Sequence, residues 1–302
     1  MLSRNLIIIA GPTAIGKTSL SIEIAKIYNC PILSADSRQF YKEMDIGTSK
    51  PTDIEMEGVP HYFINSRSVT DEYNVGKYEN DAINLIETLF QTNSCIILVG
   101  GSGLFINAVC CGFDELPQAN EEIRNEINLL FTRQGIEGLQ QALKKHDINY
   151  YLKVDLNNIR RISRALEVCL ITGKTYTELR KGEIKNRNFN IIKIGLNALR
   201  PLLYNRINQR VDQMMLDGLL NEVKSLQKFK HLNALQTVGY KELFNYLEGN
   251  ADFKSTIELI KRNTRRYAKR QLTWFLKDKE IEWFEPYQLP EILTYINKQK
   301  IG

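Results

Sequence analysis

The chain has 302 residues, 43% hydrophobic and 25% charged, with a formal net charge of +5. That composition fits a soluble globular protein of one α/β domain plus a smaller module. Its apolar runs are far too short to span a bilayer, and the N-terminus lacks a signal-peptide layout, so a cytoplasmic protein with no membrane partner is expected.

The first predicted element is a strand over residues 6–10. It leads into GPTAIGKT, residues 11–18, and then SLSIEIAKIY, where Leu20, Ile24 and Ile27 recur at helical spacing. Strand, glycine-rich loop and helix in this order make a phosphate loop. Gly11 and Gly16 let the backbone aim its N–H groups at anionic oxygens at the positive end of the helix, and Lys17 adds a charge. Thr18 offers a hydroxyl to a magnesium ion that also takes substrate phosphate oxygens. The motif specifies a di- or triphosphate without naming the molecule that carries it.

A second strand, residues 32–35, runs into SADSRQFYKEMDIGTSKP, residues 34–51. Strand carboxyl ends in such sheets face the ligand crevice, which places Asp36 near whatever Lys17 holds, although Asp is equally at home capping a turn. A third strand, residues 95–99, is followed by VGGSGLF, where Gly100 and Gly101 bring the backbone close and Ser102 offers a hydroxyl; a plain tight turn is the alternative. Short apolar runs separated by helices predict a P-loop doubly wound parallel sheet.

From Pro117 to about Lys185 the pattern becomes helical without strands: EEIRNEINLLFTRQ, LQQALKKH and NNIRRISRALEVCLITG, with Gly173 as a stop. The expected organisation is therefore a first part of the core over 1–116, a helical insertion over 117–185 and a second part of the core over 186–302. A fourth strand, 191–196, precedes the helix PLLYNRINQRVDQMM, on which Arg206 and Arg210 share a face. By fold-level analogy they neutralise a leaving phosphate; otherwise they form a solvated face. A last strand is expected over 281–284.

Residues 181–302 hold 22 Lys and Arg against 13 Asp and Glu, which concentrates the basic excess there. Arg262, Arg265, Arg266 and Lys269 fall on one helical face, either a solvated face or a track for a phosphate backbone. The cysteines, Cys30, Cys95, Cys110, Cys111 and Cys169, contain no C-x-x-C pair and read as free thiols rather than a disulfide frame or zinc site. No GTPase base-reading motif occurs, so the phosphate donor need not be a nucleotide.

Taken together, GPTAIGKT, SADSRQFYKEMDIGTSKP, LVGGSGLF, RRISRALEV with TGK, LQTVGYKEL and the AKRQLTW that follows Arg265 closely resemble the tRNA dimethylallyltransferase family, also called tRNA isopentenyltransferases, in order along nearly the whole chain. The resemblance implies transfer of a dimethylallyl group from dimethylallyl pyrophosphate to N6 of the adenosine just 3′ of the anticodon, with release of pyrophosphate. It implies catalysis by Asp36 as the base, Ser102 and Arg210, with Mg2+ on Thr18. Pyrophosphate would be held by Gly11, Thr13, Ala14, Gly16, Lys17, Thr18, Ser19 and Arg206. Contacts to the tRNA anticodon stem-loop would come from Asp36, Ser37, Arg38, Gln39 and Ser102, and from Arg124, Arg160, Arg161, Ser163 and Arg164. Gln236, Gly239, Tyr240, Lys241, Arg265, Lys269 and Arg270 complete that set. The short bacterial form, without zinc-finger residues, and a monomer are expected.

The sequence departs from the family where Ser102 replaces the usual Thr, Phe105 the usual Tyr, and Asn65-Ser66 a frequent acidic residue. Three rival readings share these residues: a small-molecule kinase with ATP in the loop, an adenylate isopentenyltransferase acting on free nucleotide, and an RNA-binding module without catalysis. The helical insertion and basic C-terminal part favour RNA over a nucleotide, and the presence of Lys17, Thr18 and Asp36 favours catalysis.

Overall fold

Leu6 to Ile9 are apolar without alternation because the strand they form is covered on both faces, as parallel strands between helices require. In the computed structural model, which describes residues 4–300, that strand lies inside a six-stranded sheet. In chain order the elements are β1 (Asn5–Ala10), α1 (Lys17–Tyr28), β2 (Ile32–Ser34), α2 (Asp53–Met56), β3 (His61–Tyr62), α3 (Val75–Leu89), β4 (Cys95–Gly100), α4 (Gly103–Cys111), α5 (Glu121–His146), α6 (Ile148–Tyr151), α7 (Ile159–Thr172), α8 (Tyr176–Leu179), β5 (Asn190–Leu196), α9 (Arg200–Leu216), α10 (Leu219–Ser225), α11 (Tyr240–Leu247), α12 (Phe253–Phe275), β6 (Glu282–Phe284) and α13 (Leu289–Lys300).

The strands are all parallel, in the order β3-β2-β4-β1-β5-β6, with Ala10 level with both Gly100 and Gly195. This is the doubly wound α/β sheet expected from the alternation of apolar runs and helices. The chain leaves β1 toward β2 and leaves β4 toward β5, in opposite directions across the sheet. The loops after these two neighbouring strands therefore diverge, which opens the crevice where such folds bind ligands. β3 lies outside the predicted strands: two half-buried residues at a sheet edge carry no periodicity to read.

The chain forms two compact units. Of the described residues, 4–110 and 187–300 build the first, and Cys111–Asn186 the second. The first unit's core joins Ile7, Ile9, Ile32, Ile97, Ile192 and Ile194 of the sheet to Leu20 and Ile24 of α1 and Leu203 and Ile207 of α9. The second packs Ile127, Leu139 and Leu143 of α5 on Ile162, Ala165 and Leu166 of α7. Within α5 the backbone breaks at Gly135 (φ 64°, ψ −158°), between the two amphipathic stretches read from the sequence, and Gly173 caps α7 in the left-handed conformation at φ 67°. No helix among the described residues is long and apolar enough to cross a membrane.

Candidate active site

The phosphate loop begins where β1 ends. Ala14 (φ 64°) and Gly16 (φ 106°) both adopt left-handed backbone, which turns successive N–H groups toward one point, and α1 starts at Lys17 with no acidic residue in its first turn. An anion is thus favoured there by both amides and helix dipole. The ammonium of Lys17 donates to the Pro12 carbonyl at 2.8 Å, so the side chain folds back over the loop. Arg206 donates to the Ile15 carbonyl at 3.1 Å, bracing the loop from α9.

A cavity of about 570 Å³ opens in front of the loop, lined by Thr13, Lys17, Thr18, Asp36 and Arg210 together with parts of α9, α12 and the loops after β2 and β4. Its wall carries Lys17, Arg38, Arg210, Lys241, Arg266 and Arg270 against Asp36 and Glu242. Burial of Lys17, reinforced by Arg210, pushes its pKa down to about 7, with Asp36 pulling the other way. Burial lowers Arg210 as well, against Asp36 and Glu55. Lys17 and Arg210 stand close enough to repel one another, and an anion held between them would relieve that repulsion. Apolar surface completes the wall at Val211, Met214, Leu219 and Val238.

Asp36 combines both roles open to it. One carboxylate oxygen accepts the backbone N–H of Arg38 at 2.9 Å, fixing the turn after β2, and no described donor takes the other oxygen. Ser37, Arg38 and Gln39 follow it along the wall, and Gln39 pairs with Ser34 Oγ at 2.9 Å while donating to the Ser49 carbonyl at 3.2 Å. Ser102 stands behind this wall, where its Oγ accepts the Ser37 N–H at 3.1 Å. Burial and the charge of Asp36 push the phenol of Tyr267, also on the cavity wall, up to about 12. Phe105 needs no hydroxyl where it lies, in ring contact with Phe40 and Tyr78.

The other site residues from the sequence divide sharply. Gln236, Gly239 and Lys241 line the cavity, but Tyr240 is fully buried, so its side chain has no surface to offer a nucleic acid. Its hydroxyl instead donates to Glu222 at 2.5 Å, and the same carboxylate accepts the N–H groups of Asp45, Ile46 and Gly47 at 2.7–3.0 Å, pinning the loop whose next residues reach the cavity. Arg265 turns inward to Asn208 (2.7 Å), so the exposed basic stripe of α12 runs through Arg262, Arg266, Lys269 and Arg270. In the second unit Arg160 and Arg161 are exposed on the first turn of α7 and Ser163 is half-buried. Arg124 and Arg164 there share the buried carboxylate of Glu167 at 2.8 and 2.7 Å.

Gln271, the glutamine of AKRQLTW, is a site residue whose partners the sequence does not reveal. It is 6% exposed; its Oε1 accepts the Thr13 N–H at 2.9 Å and its Nε2 donates to the Gly101 carbonyl at 2.8 Å. A Cβ at Gly101 would come within 2.2 Å of that nitrogen, so the glycine makes room for the amide. The side chain fastens the phosphate loop to the loop leading to Ser102. The hint lay in AKRQLTW, but the partner Thr13 is 258 positions away in the chain. Gln271→Glu keeps the acceptor toward Thr13 and sets a carboxylate against the Gly101 carbonyl, leaving a buried acceptor unmatched, a cost of about 1–3 kcal/mol. We expect a clear loss of turnover in a folded protein, and Gln271→Glu at wild-type turnover would remove any positional role.

Among the described residues no group of three His, Cys, Asp or Glu side chains could hold a metal. The donors present, Thr18 at the loop and Asp36 on the same cavity wall, fit an ion that keeps waters and takes most of its other ligands from substrate phosphates.

The chain matches the model of the IPP transferase family over residues 39–278. A relative from Azobacteroides pseudotrichonymphae named tRNA dimethylallyltransferase 2 is 49% identical, the match covering 96% of this chain and 95% of that protein. The crystal structure of the full-length tRNA isopentenylpyrophosphate transferase from Bacillus halodurans superposes with a TM-score of 0.74 at 37% identity, over 99% of this chain and 97% of that one. A eukaryotic dimethylallyltransferase, solved acting on tRNA, superposes with a TM-score of 0.81 at 28% identity, over 99% of this chain and 78% of that one.

Proposed function

The chain belongs to the IPP transferase family, and on that premise we propose that it transfers a dimethylallyl group from dimethylallyl pyrophosphate to N6 of the adenosine immediately 3′ of the anticodon in tRNA. The observation that carries this reading is the composition of one cavity: an anion cradle, a carboxylate with a free oxygen and an apolar wall lie together. A pyrophosphate with a short greasy tail needs the first and the last of these, and a weakly nucleophilic adenine amine needs the second.

In the reaction the N6 nitrogen forms a bond to the allylic carbon as the carbon–oxygen bond to pyrophosphate breaks. The amine proton passes to the free oxygen of Asp36, whose other oxygen stays on the Arg38 N–H and holds the carboxylate in place. Charge grows on the departing pyrophosphate, where Lys17, Arg210 and the amides of the loop receive it. Magnesium, held by Thr18 and the pyrophosphate oxygens, would supply further neutralisation of that charge. Ser102 holds the backbone of Ser37 on the cavity wall. The exposed arginines of α7 and the basic stripe of α12 are surfaces for tRNA phosphates, whose contacts offset the cost of drawing the adenosine out of its stack.

Mass spectrometry of tRNA nucleosides after incubation with dimethylallyl pyrophosphate and magnesium tests the reading. Dimethylallyl adenosine in the anticodon loop, formed without ATP, is the expected product; consumption of ATP that depends on Asp36, with no prenylated tRNA, overturns it. Charge reversal at Arg262 and Arg266 should flatten the salt dependence of tRNA binding by about 0.7–0.9 in log–log slope for each phosphate that is no longer neutralised. An unchanged slope would return that face to plain solvation.

A further inference from the structure

Trp274, near the end of α12, is 40% exposed although one edge of its indole is pressed against Gly103, where a Cβ would come within 2.2 Å of the ring. Its open side lies in a shallow groove of about 420 Å³ lined by Arg266, Lys269, Arg270, Thr273, Trp274 and Lys277. These residues recur at helical spacing on one face: four cations, a hydroxyl and an indole, with no carboxylate among them. Like charges gathered around a partly exposed aromatic ring make a poor surface for an apolar protein partner. They match a nucleic acid strand, whose bases have faces to stack and whose phosphates need cations.

Arg266 and Arg270 line both this groove and the catalytic cavity, so the two share a wall. An RNA strand seated in the groove therefore leads directly to the place where Asp36 waits. When the target adenosine leaves the loop stack, its neighbour loses a stacking partner, and an exposed indole at the cavity rim can replace it. We propose that this groove is a stacking subsite: an unpaired base of the tRNA next to the prenylated adenosine lies on Trp274, with its flanking phosphates on Lys269 and Lys277. The proposal rests on the tRNA reading above and adds to it a residue that touches no reacting atom.

The chain contains two tryptophans, so Trp283→Phe leaves Trp274 as the sole indole. In that background an anticodon stem-loop should quench Trp274 emission on binding. A stem-loop abasic at the nucleotide next to the target should bind, as measured by anisotropy of a labelled RNA, without the quench. In the full sequence Trp274→Ala should lower kcat/KM for the stem-loop roughly tenfold or more, the scale of one lost stacked base. Trp274→Phe should recover most of that loss, and both should leave the affinity for dimethylallyl pyrophosphate unchanged. A stem-loop that binds and is prenylated while Trp274 emission stays unaltered overturns the subsite and leaves the tRNA reading standing. A wild-type protein that neither binds nor prenylates the stem-loop overturns that reading, and the subsite with it.

Discussion

Asp36→Asn should lower prenyl transfer by roughly 100-fold or more, the usual scale for losing a general base, while tRNA binding stays close to wild type. Asparagine is the informative replacement because its carbonyl oxygen can still accept the Arg38 N–H that the carboxylate accepts at 2.9 Å. The turn after β2 then survives, and only the proton acceptor is lost. Alanine would remove both, mixing loss of the base with a loosened loop at Ser37 and Arg38. Single-turnover rates measured with saturating tRNA separate the two variants. An Asp36→Asn protein that turns over at near-normal rate would end the assignment of Asp36 as the base.

Lys17→Ala and Arg210→Ala should each reduce turnover by about 10²- to 10³-fold, the scale of removing one preorganised electrostatic partner from a developing anion. Lys17 also gives this prediction a pH signature. Burial and Arg210 hold its pKa near 7 in the ligand-free protein, and a bound pyrophosphate favours the ammonium form. Donor binding above pH 7 must therefore take up a proton. kcat/KM for dimethylallyl pyrophosphate should fall with rising pH, approaching about tenfold per pH unit beyond 7, and the binding enthalpy should vary with the ionisation enthalpy of the buffer. Lys17→Ala should abolish both trends.

The same linkage governs stability with the opposite consequence. In the unfolded chain the Lys17 amine keeps its proton up to about 10.5, whereas in the folded, ligand-free protein it keeps it only to about 7. Between those values the unfolded state binds more protons, so the contribution of Lys17 to stability improves as pH rises through the window. Saturating pyrophosphate should remove that trend by restoring the proton in the folded state. Chemical denaturation at several pH values, with and without pyrophosphate, measures the difference.

The sequence by itself determined the doubly wound sheet, the phosphate loop and the crevice position of Asp36, because each depends on residues close together in the chain. Apolar runs of strand length, GPTAIGKT between strand and helix, and an Asp just past a strand end are local patterns whose geometry follows from backbone chemistry. Only the tertiary structure decided which residues near those patterns face substrate and which hold the wall behind them. Tyr240 and Lys241 are neighbours, yet one is buried against Glu222 and the other lines the cavity; Arg265 and Arg266 part in the same way between Asn208 and solvent. Gln271 joins loops from opposite ends of the chain, and Glu222 closes on a loop that precedes it by about 175 residues. Such pairings are fixed by the packing of α9, α10, α11 and α12 around the sheet. One step along a helix turns a side chain by about a quarter of the circumference, so the direction of packing, which no local pattern encodes, separates a ligand contact from a buried support.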